Sequence, residues 1–203
     1  MSAAWQTVAA WPSLFAGELH VWRALTRSLL CHYLALETSQ LNFAVGPIGK
    51  LHLPPPEPLK FNATHSGQVV LVAVSRDADV GVDVEHLRRV TQFEELAERY
   101  YCQREIATLH ALPPEQKHRA FFLAWTRKEA LLKGVGRGLT FPLCDVEVTL
   151  RPDEPARLIQ FGEVAGDAAP WRLMHLEPGE DYVGAVAVAH DATRVRLFHW
   201  SCP

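Results

Sequence analysis

Asp83 and Glu85 stand two residues apart in the stretch VGVDVE, residues 80–85. On an extended strand alternate side chains share a face, so both acids point the same way with Cα atoms roughly 7 Å apart. Val80, Val82 and Val84 then take the opposite face. Like charges this close repel unless something positive joins them. A magnesium ion suits the purpose, because it takes one or two protein carboxylates together with waters and phosphate oxygens. The competing reading is an edge strand whose polar face meets water. Further along, in AFFLAWTRKEALLK, helical periodicity puts Phe122, Trp125, Glu129, Leu132 and Lys133 on one stripe, with Lys128 at its flank and Arg127 on the other side. Glu129 and Lys133 are either a simple i,i+4 pair or a third metal ligand and a phosphate contact. The glycines of KGVGRGL, around Arg137, match no phosphate-loop pattern and serve equally as a helix cap and turn. A third polar group, Asn62, Thr64, His65 and Ser66 in FNATHSG, offers hydroxyls and an imidazole that can hydrogen-bond a phosphate.

The elements that must carry these residues follow from periodicity. Residues 20–36 repeat apolar side chains at helical spacing, and 68–75 (QVVLVAVS) reads as a strand buried on both faces. Residues 47–67 are broken by prolines and predict a loop with short extended pieces. The strands 68–75 and 80–85, joined by a turn, form a candidate hairpin. Residues 91–112 predict one or two helices stopped by Pro113 and Pro114, and 115–136 the strongest helix, stopped by Gly134 and Gly136. Strands are expected at 145–150, 171–177, 182–190 and 193–200, with loops and a weak hairpin over 151–170. Each half thus offers a long helix and a strand ending in a polar cluster, compatible with two related α+β lobes, 1–77 and 78–203.

At 203 residues, 48% hydrophobic and 21% charged, the chain has the composition of a soluble protein with a full core. A net charge of −3 argues against a dedicated nucleic-acid binder. Cys31, Cys102, Cys144 and Cys202 fit no zinc spacing and read as reduced thiols. With no basic signal-peptide start and no apolar run long enough to span a membrane, a cytoplasmic protein is expected.

These residues together resemble a known family. VGVDVE followed by WTRKEALLKGVGRGL is similar to the paired signature of the 4′-phosphopantetheinyl transferases, a G-[IV]-D-[IVL]-E strand and a W-x-x-K-E-[AS]-x-x-K helix. FNATHSG resembles their N-x-S-H-S/G segment, with Thr64 in place of serine. GPIGKLHL resembles a G-K-P segment, with Leu51 in place of proline. WRALTRSLLCHYL resembles the first helix and YVGAVAVAH the closing strand. The length matches the monomeric, double-lobed class typified by the surfactin-synthetase activator (Sfp-like).

The resemblance implies an α+β fold of two similar lobes related by pseudo-twofold symmetry, with the active site between them. It implies Mg2+, with Mn2+ as a substitute, bound by Asp83, Glu85 and Glu129. Coenzyme A is the implied co-substrate. Lys133, with Lys128 nearby, would contact its pyrophosphate. Thr64 and His65 would hold its phosphates, while Lys50 and Arg23 would sit around the adenosine end. Glu105 would be the base or orient it, making Glu105, Lys133 and Glu129 the catalytic set. The implied acceptor is an acidic apo acyl or peptidyl carrier protein. Lys117, His118 and Arg119, with Arg99 and Arg104, are a candidate basic surface for it. A magnesium-dependent phosphohydrolase using the same carboxylates, or a module that binds coenzyme A or a carrier without turnover, would carry the same acids.

Overall fold

The structure is a computed structural model that describes residues 5–12, 19–88, 90–138, 141–162, 170–190 and 194–199. Eleven strands and four α-helices are described: β1 (Trp5–Pro12), α1 (Leu19–Leu34), β2 (Ala44–Val45), β3 (Leu51–His52), β4 (Lys60–Ser66), β5 (Val69–Ser75), β6 (Val80–His86), α2 (Phe93–Tyr100), α3 (Gln103–Ala111), α4 (Pro114–Val135), β7 (Val146–Val148), β8 (Leu158–Phe161), β9 (Trp171–Leu176), β10 (Tyr182–Ala189) and β11 (Arg194–His199).

The larger strands make two sheets, ordered β11-β1-β5-β4 and β6-β10-β9. Side-chain alternation stacks them. On β5, Val70, Val72 and Val74 face Leu29, Leu30 and Phe61 under α1, while Val69, Leu71 and Ala73 face the other way. There they meet Val80, Val82 and Val84 of β6 and Val186 and Val188 of β10. The far face of the second sheet, with Val183, Ala185 and Ala187, packs on Ala120, Phe121, Ala130 and Leu131 of α4. The layers therefore run helix, sheet, sheet, helix. Each lobe is one long helix on one largely antiparallel sheet, the α+β double-lobed architecture anticipated from the sequence.

Burial of β5 on both faces is as its continuous apolar run predicts. Three expectations are corrected. β5 and β6 are not a hydrogen-bonded hairpin. They belong to different sheets and meet through side chains, since the alternating valines of β6 and the run of β5 satisfy one shared apolar layer. Residues 60–66 are a strand, not a loop, paired along their length with β5. The 77/78 division falls in the turn between β5 and β6, but β11 crosses back to pair in parallel with β1, so residues 194–199 belong to the first lobe's sheet. Residues 193 and 200 of the expected last strand lie outside the described residues. Residues 91–112 are two helices broken at Tyr101 and Cys102. Cys31, Cys102 and Cys144 are free thiols, and Cys202 lies outside the described residues. No helix among the described residues is long and apolar enough to cross a membrane.

Candidate active site between the two lobes

β6 is an edge strand, and its face carrying Gly81, Asp83 and Glu85 turns toward α4. Gly81 is the point of closest approach. A Cβ there would collide with the Ala130 carbonyl oxygen and the Gly134 backbone, so only hydrogen fits. The space beside the acids is therefore filled by helix backbone, not left open as glycine alone suggests. Gly134 is pressed on its other side by Trp171, whose ring carbon Cζ3 would lie 2.6 Å from an added Cβ. With the two backbones in contact, Glu129 and Lys133, one turn apart on α4, reach the acids of β6.

Lys133 Nζ donates to Asp83 Oδ1 at 2.5 Å and to Thr64 Oγ1 at 3.2 Å. Thr64 in turn donates to Asp83 Oδ1 at 3.2 Å. Asp83 is only 4% exposed, and its Oδ2 has no hydrogen-bond partner, as is also true of Glu129 Oε1. Burial raises the Asp83 pKa, with Lys133 opposing. Burial and then the charge of Asp83 raise that of Glu85. The same two causes, in the same order, push Glu129 from an ordinary 4.5 up to about 6. Three carboxylates thus share one lysine, with Arg88 assisting at Glu85.

The other edge of the site is β4. Asn62, Thr64 and Ser66 alternate onto the face toward β6. Asn62 Oδ1 accepts the Val82 N–H at 2.9 Å, Thr64 meets Asp83, and Ser66 donates to Glu85 Oε2 at 3.1 Å. His65 falls on the opposite face, exposed, and stacks on Trp22 of α1 at 6.1 Å between ring centroids. The guanidinium of Arg23 also lies over Trp22, at 5.5 Å. The FNATHSG cluster is thus divided by strand alternation between the carboxylates and α1.

A cavity of about 590 Å³ opens where β6 begins and α4 ends. Its walls include Pro47 and Lys50 on the β2–β3 hairpin, Pro55 and Phe61, then Val80 and Gly134. Lys50 Nζ donates to the Gly134 carbonyl at 2.9 Å, a favourable place for a cation at a helix C-terminus, and burial lowers its pKa. The proline segment 54–58 reads in sequence as a mere loop. Its part in the wall was not legible, since prolines reveal where a chain turns and not what it turns around.

Two expected site residues lie elsewhere. Lys128 is fully buried and its ammonium is saturated by Glu105 Oε2 at 2.6 Å, the Leu143 carbonyl at 3.0 Å and the Val146 carbonyl at 2.6 Å. Glu105, 2% exposed, spends its carboxylate on Lys128 and on the N–H groups of Cys102 and Val148. This pair ties α3 and α4 to β7. Lys128 has no donor left for a pyrophosphate, and Glu105, buried against it, already accepts three hydrogen bonds. The residues of the expected basic surface make solvent-exposed ion pairs and ring contacts, which hold them only weakly. Lys117 pairs with Glu94, Arg119 with Glu177 and Arg104 with Glu147. His118 sits between Phe93 and Phe122, and Arg99 lies over Tyr100.

The metal expectation meets a mixed geometry. Among the described residues no three acidic, histidine or cysteine side chains are gathered as a ready ligand set. Lys133, not a second carboxylate, holds Asp83. The donor chemistry nonetheless fits a hard divalent cation, since two buried carboxylate oxygens lack partners and the acids raise one another's pKa.

The family model for the 4′-phosphopantetheinyl transferase superfamily matches residues 79–187, spanning β6, α4 and β10. The chain is 38% identical over 181 residues to the 4′-phosphopantetheinyl transferase HetI of Nostoc sp., covering 88% of this chain and 73% of that one. It is 28% identical over 166 residues to the 4′-phosphopantetheinyl transferase Sfp of Bacillus subtilis, covering 82% and 71%. Among solved structures, the holo-[acyl-carrier-protein] synthase of Thermotoga maritima overlays 56% of this chain with a TM-score of 0.45 at 23% identity. With its two signature segments meeting at Gly81 and Gly134, the chain belongs to the 4′-phosphopantetheinyl transferase superfamily.

Proposed function

We propose that this protein transfers the 4′-phosphopantetheine arm of coenzyme A to a serine of an apo acyl or peptidyl carrier protein and releases 3′,5′-ADP. The observation that carries this reading is the position of Lys133. It touches Asp83 and Thr64, and it is the residue before Gly134 in the cavity wall. A nucleotide in the cavity would reach past Gly134 to bring its phosphates to that ammonium and hydroxyl.

Each residue then has a task. Lys50 and the cavity wall hold the adenosine end. Thr64 and Lys133 hold the diphosphate, and His65 and Arg23 offer donors on the α1 side for a further phosphate. Asp83, Glu85 and Glu129 would hold magnesium, or manganese in its place, which when bound neutralises charge on the two phosphates. Lys133, released from Asp83 when the cation binds, would stabilise the departing phosphate. With Glu105 withdrawn, Glu129 is the acid we assign to take the serine proton, because its Oε1 lies buried without a partner beside Asp83 and Lys133. The chain works as a cytoplasmic monomer, and its carrier is acidic.

The test is direct. The purified protein with coenzyme A and Mg2+ should add one phosphopantetheine mass to an apo carrier domain, and Asp83→Asn should not. No mass shift across fatty-acid, polyketide and peptide carriers would defeat the reading. Cleavage of coenzyme A without an acceptor would mark a phosphohydrolase instead.

A further inference from the structure

The transferase reading leaves Ser66 without a task, although it touches the site. Ser66 closes β4, and its Oγ accepts the His86 N–H at 3.0 Å. With that acceptor position filled, the hydroxyl proton turns to Glu85 Oε2, 3.1 Å away. Among the described residues this is the one hydrogen bond that the Glu85 carboxylate receives. Glu85 would otherwise be a long side chain near the end of an edge strand, next to the repelling Asp83, with its rotamer unset.

Ser66 is itself held from two sides. The next residue, Gly67, has φ +54°, and a Cβ there would come within 2.6 Å of Tyr182 Oη. That approach lets Gln68 N–H donate to Tyr182 Oη at 3.0 Å, so the β4–β5 turn is tied to β10. The Tyr182 ring lies against His86 with centroids 4.8 Å apart, so the same tyrosine steadies the strand end whose N–H fills Ser66. The hydroxyl is thus fixed in space before it meets the carboxylate.

We propose that Ser66 is a positioning residue: its hydroxyl sets the orientation of the Glu85 carboxylate and thereby how tightly the site takes its divalent cation. This rests on the magnesium reading of the three acids. Partners that orient a metal ligand typically tune affinity about 10–100-fold. The experiment uses the full chain with coenzyme A and follows the loss of the free Mn2+ signal in electron paramagnetic resonance. Ser66→Ala should bind Mn2+ about tenfold more weakly, and kcat at saturating metal should stay within about twofold. Ser66→Thr, which keeps the hydroxyl, should restore binding. In a Glu85→Ala background, Ser66→Ala should add no further loss, since the partner it acts through is gone. Unchanged Mn2+ affinity in Ser66→Ala overturns the proposal, and so does an equal loss in the Glu85→Ala background, which would mark a general structural effect. If the wild-type protein takes up no Mn2+ at all, the magnesium reading itself fails, and that outcome is distinct from either of these.

Discussion

Glu129 is held in an unfavourable ionised state, and removing its charge should make the cation-free protein more stable. Its carboxyl ionises at about 6 in the folded protein against an ordinary 4.5. The difference corresponds to about 2 kcal/mol, discounted to about 1–1.5 kcal/mol because the side chain is not fully buried. Below 4.5 the group is protonated in both folded and unfolded chains and carries no penalty. Between 4.5 and about 6 the unfolded chain loses its proton first, so stability falls as pH rises. Above about 6 the penalty is constant. Glu129→Gln keeps the shape and drops the charge. Urea denaturation in the presence of a chelator should therefore show the variant about 1–1.5 kcal/mol more stable at pH 7.5 and equal to wild type at pH 4. A variant no more stable at pH 7.5, or equally stabilised at both pH values, would refute the account of three acids crowded round one lysine.

Four other outcomes follow from the same contacts. Asp83→Asn should remain folded and lose transferase activity in the carrier mass-shift assay. Near-normal turnover would remove Asp83 from the site. Lys133→Met should cost about 10²–10³-fold in kcat. It should also bind Mn2+ more tightly than wild type when coenzyme A is absent, because the ammonium no longer competes for Asp83; calorimetry reads both states. Gly81→Ala should force β6 away from α4, costing about 1–3 kcal/mol or more in denaturant unfolding together with most of the activity. Lys128→Met, which strands the buried Glu105, should cost about 3–5 kcal/mol of stability. Its folded fraction, in a single-turnover assay at low temperature, should keep near-normal chemistry.

The fold was legible where pattern and burial agree. The apolar run of β5 can only be a strand covered on both faces, and Val80, Val82 and Val84 can only anchor β6 from one side. β4 was missed for a physical reason. Three of its seven side chains are Asn62, Thr64 and Ser66, which look like loop residues because their partners are the N–H groups and acids of a strand some twenty positions away. A polar residue that serves as the hydrogen-bonding edge of another strand has the same local sequence as one that faces water. The return of β11 to the first sheet is invisible for a related cause: edge pairing depends on which strand is left open, and that is settled by the whole topology.

The site divides in the same way. Asp83, Glu85, Glu129 and Lys133 were readable because their spacing matches the period of their own element. Lys128 is the instructive failure. It stands five positions before Lys133, about 140° round an α-helix, and its ammonium goes to Glu105 and two carbonyls instead. The helical phase already placed Lys128 off the active stripe. What the phase could not supply was its partner. Glu105 lies on another helix, and the Leu143 and Val146 carbonyls lie in a segment with no strong pattern of its own. A buried lysine must be paired, but nothing in the sequence singles out Glu105 among 23 acidic residues, because the match is made by the packing of α3 against α4.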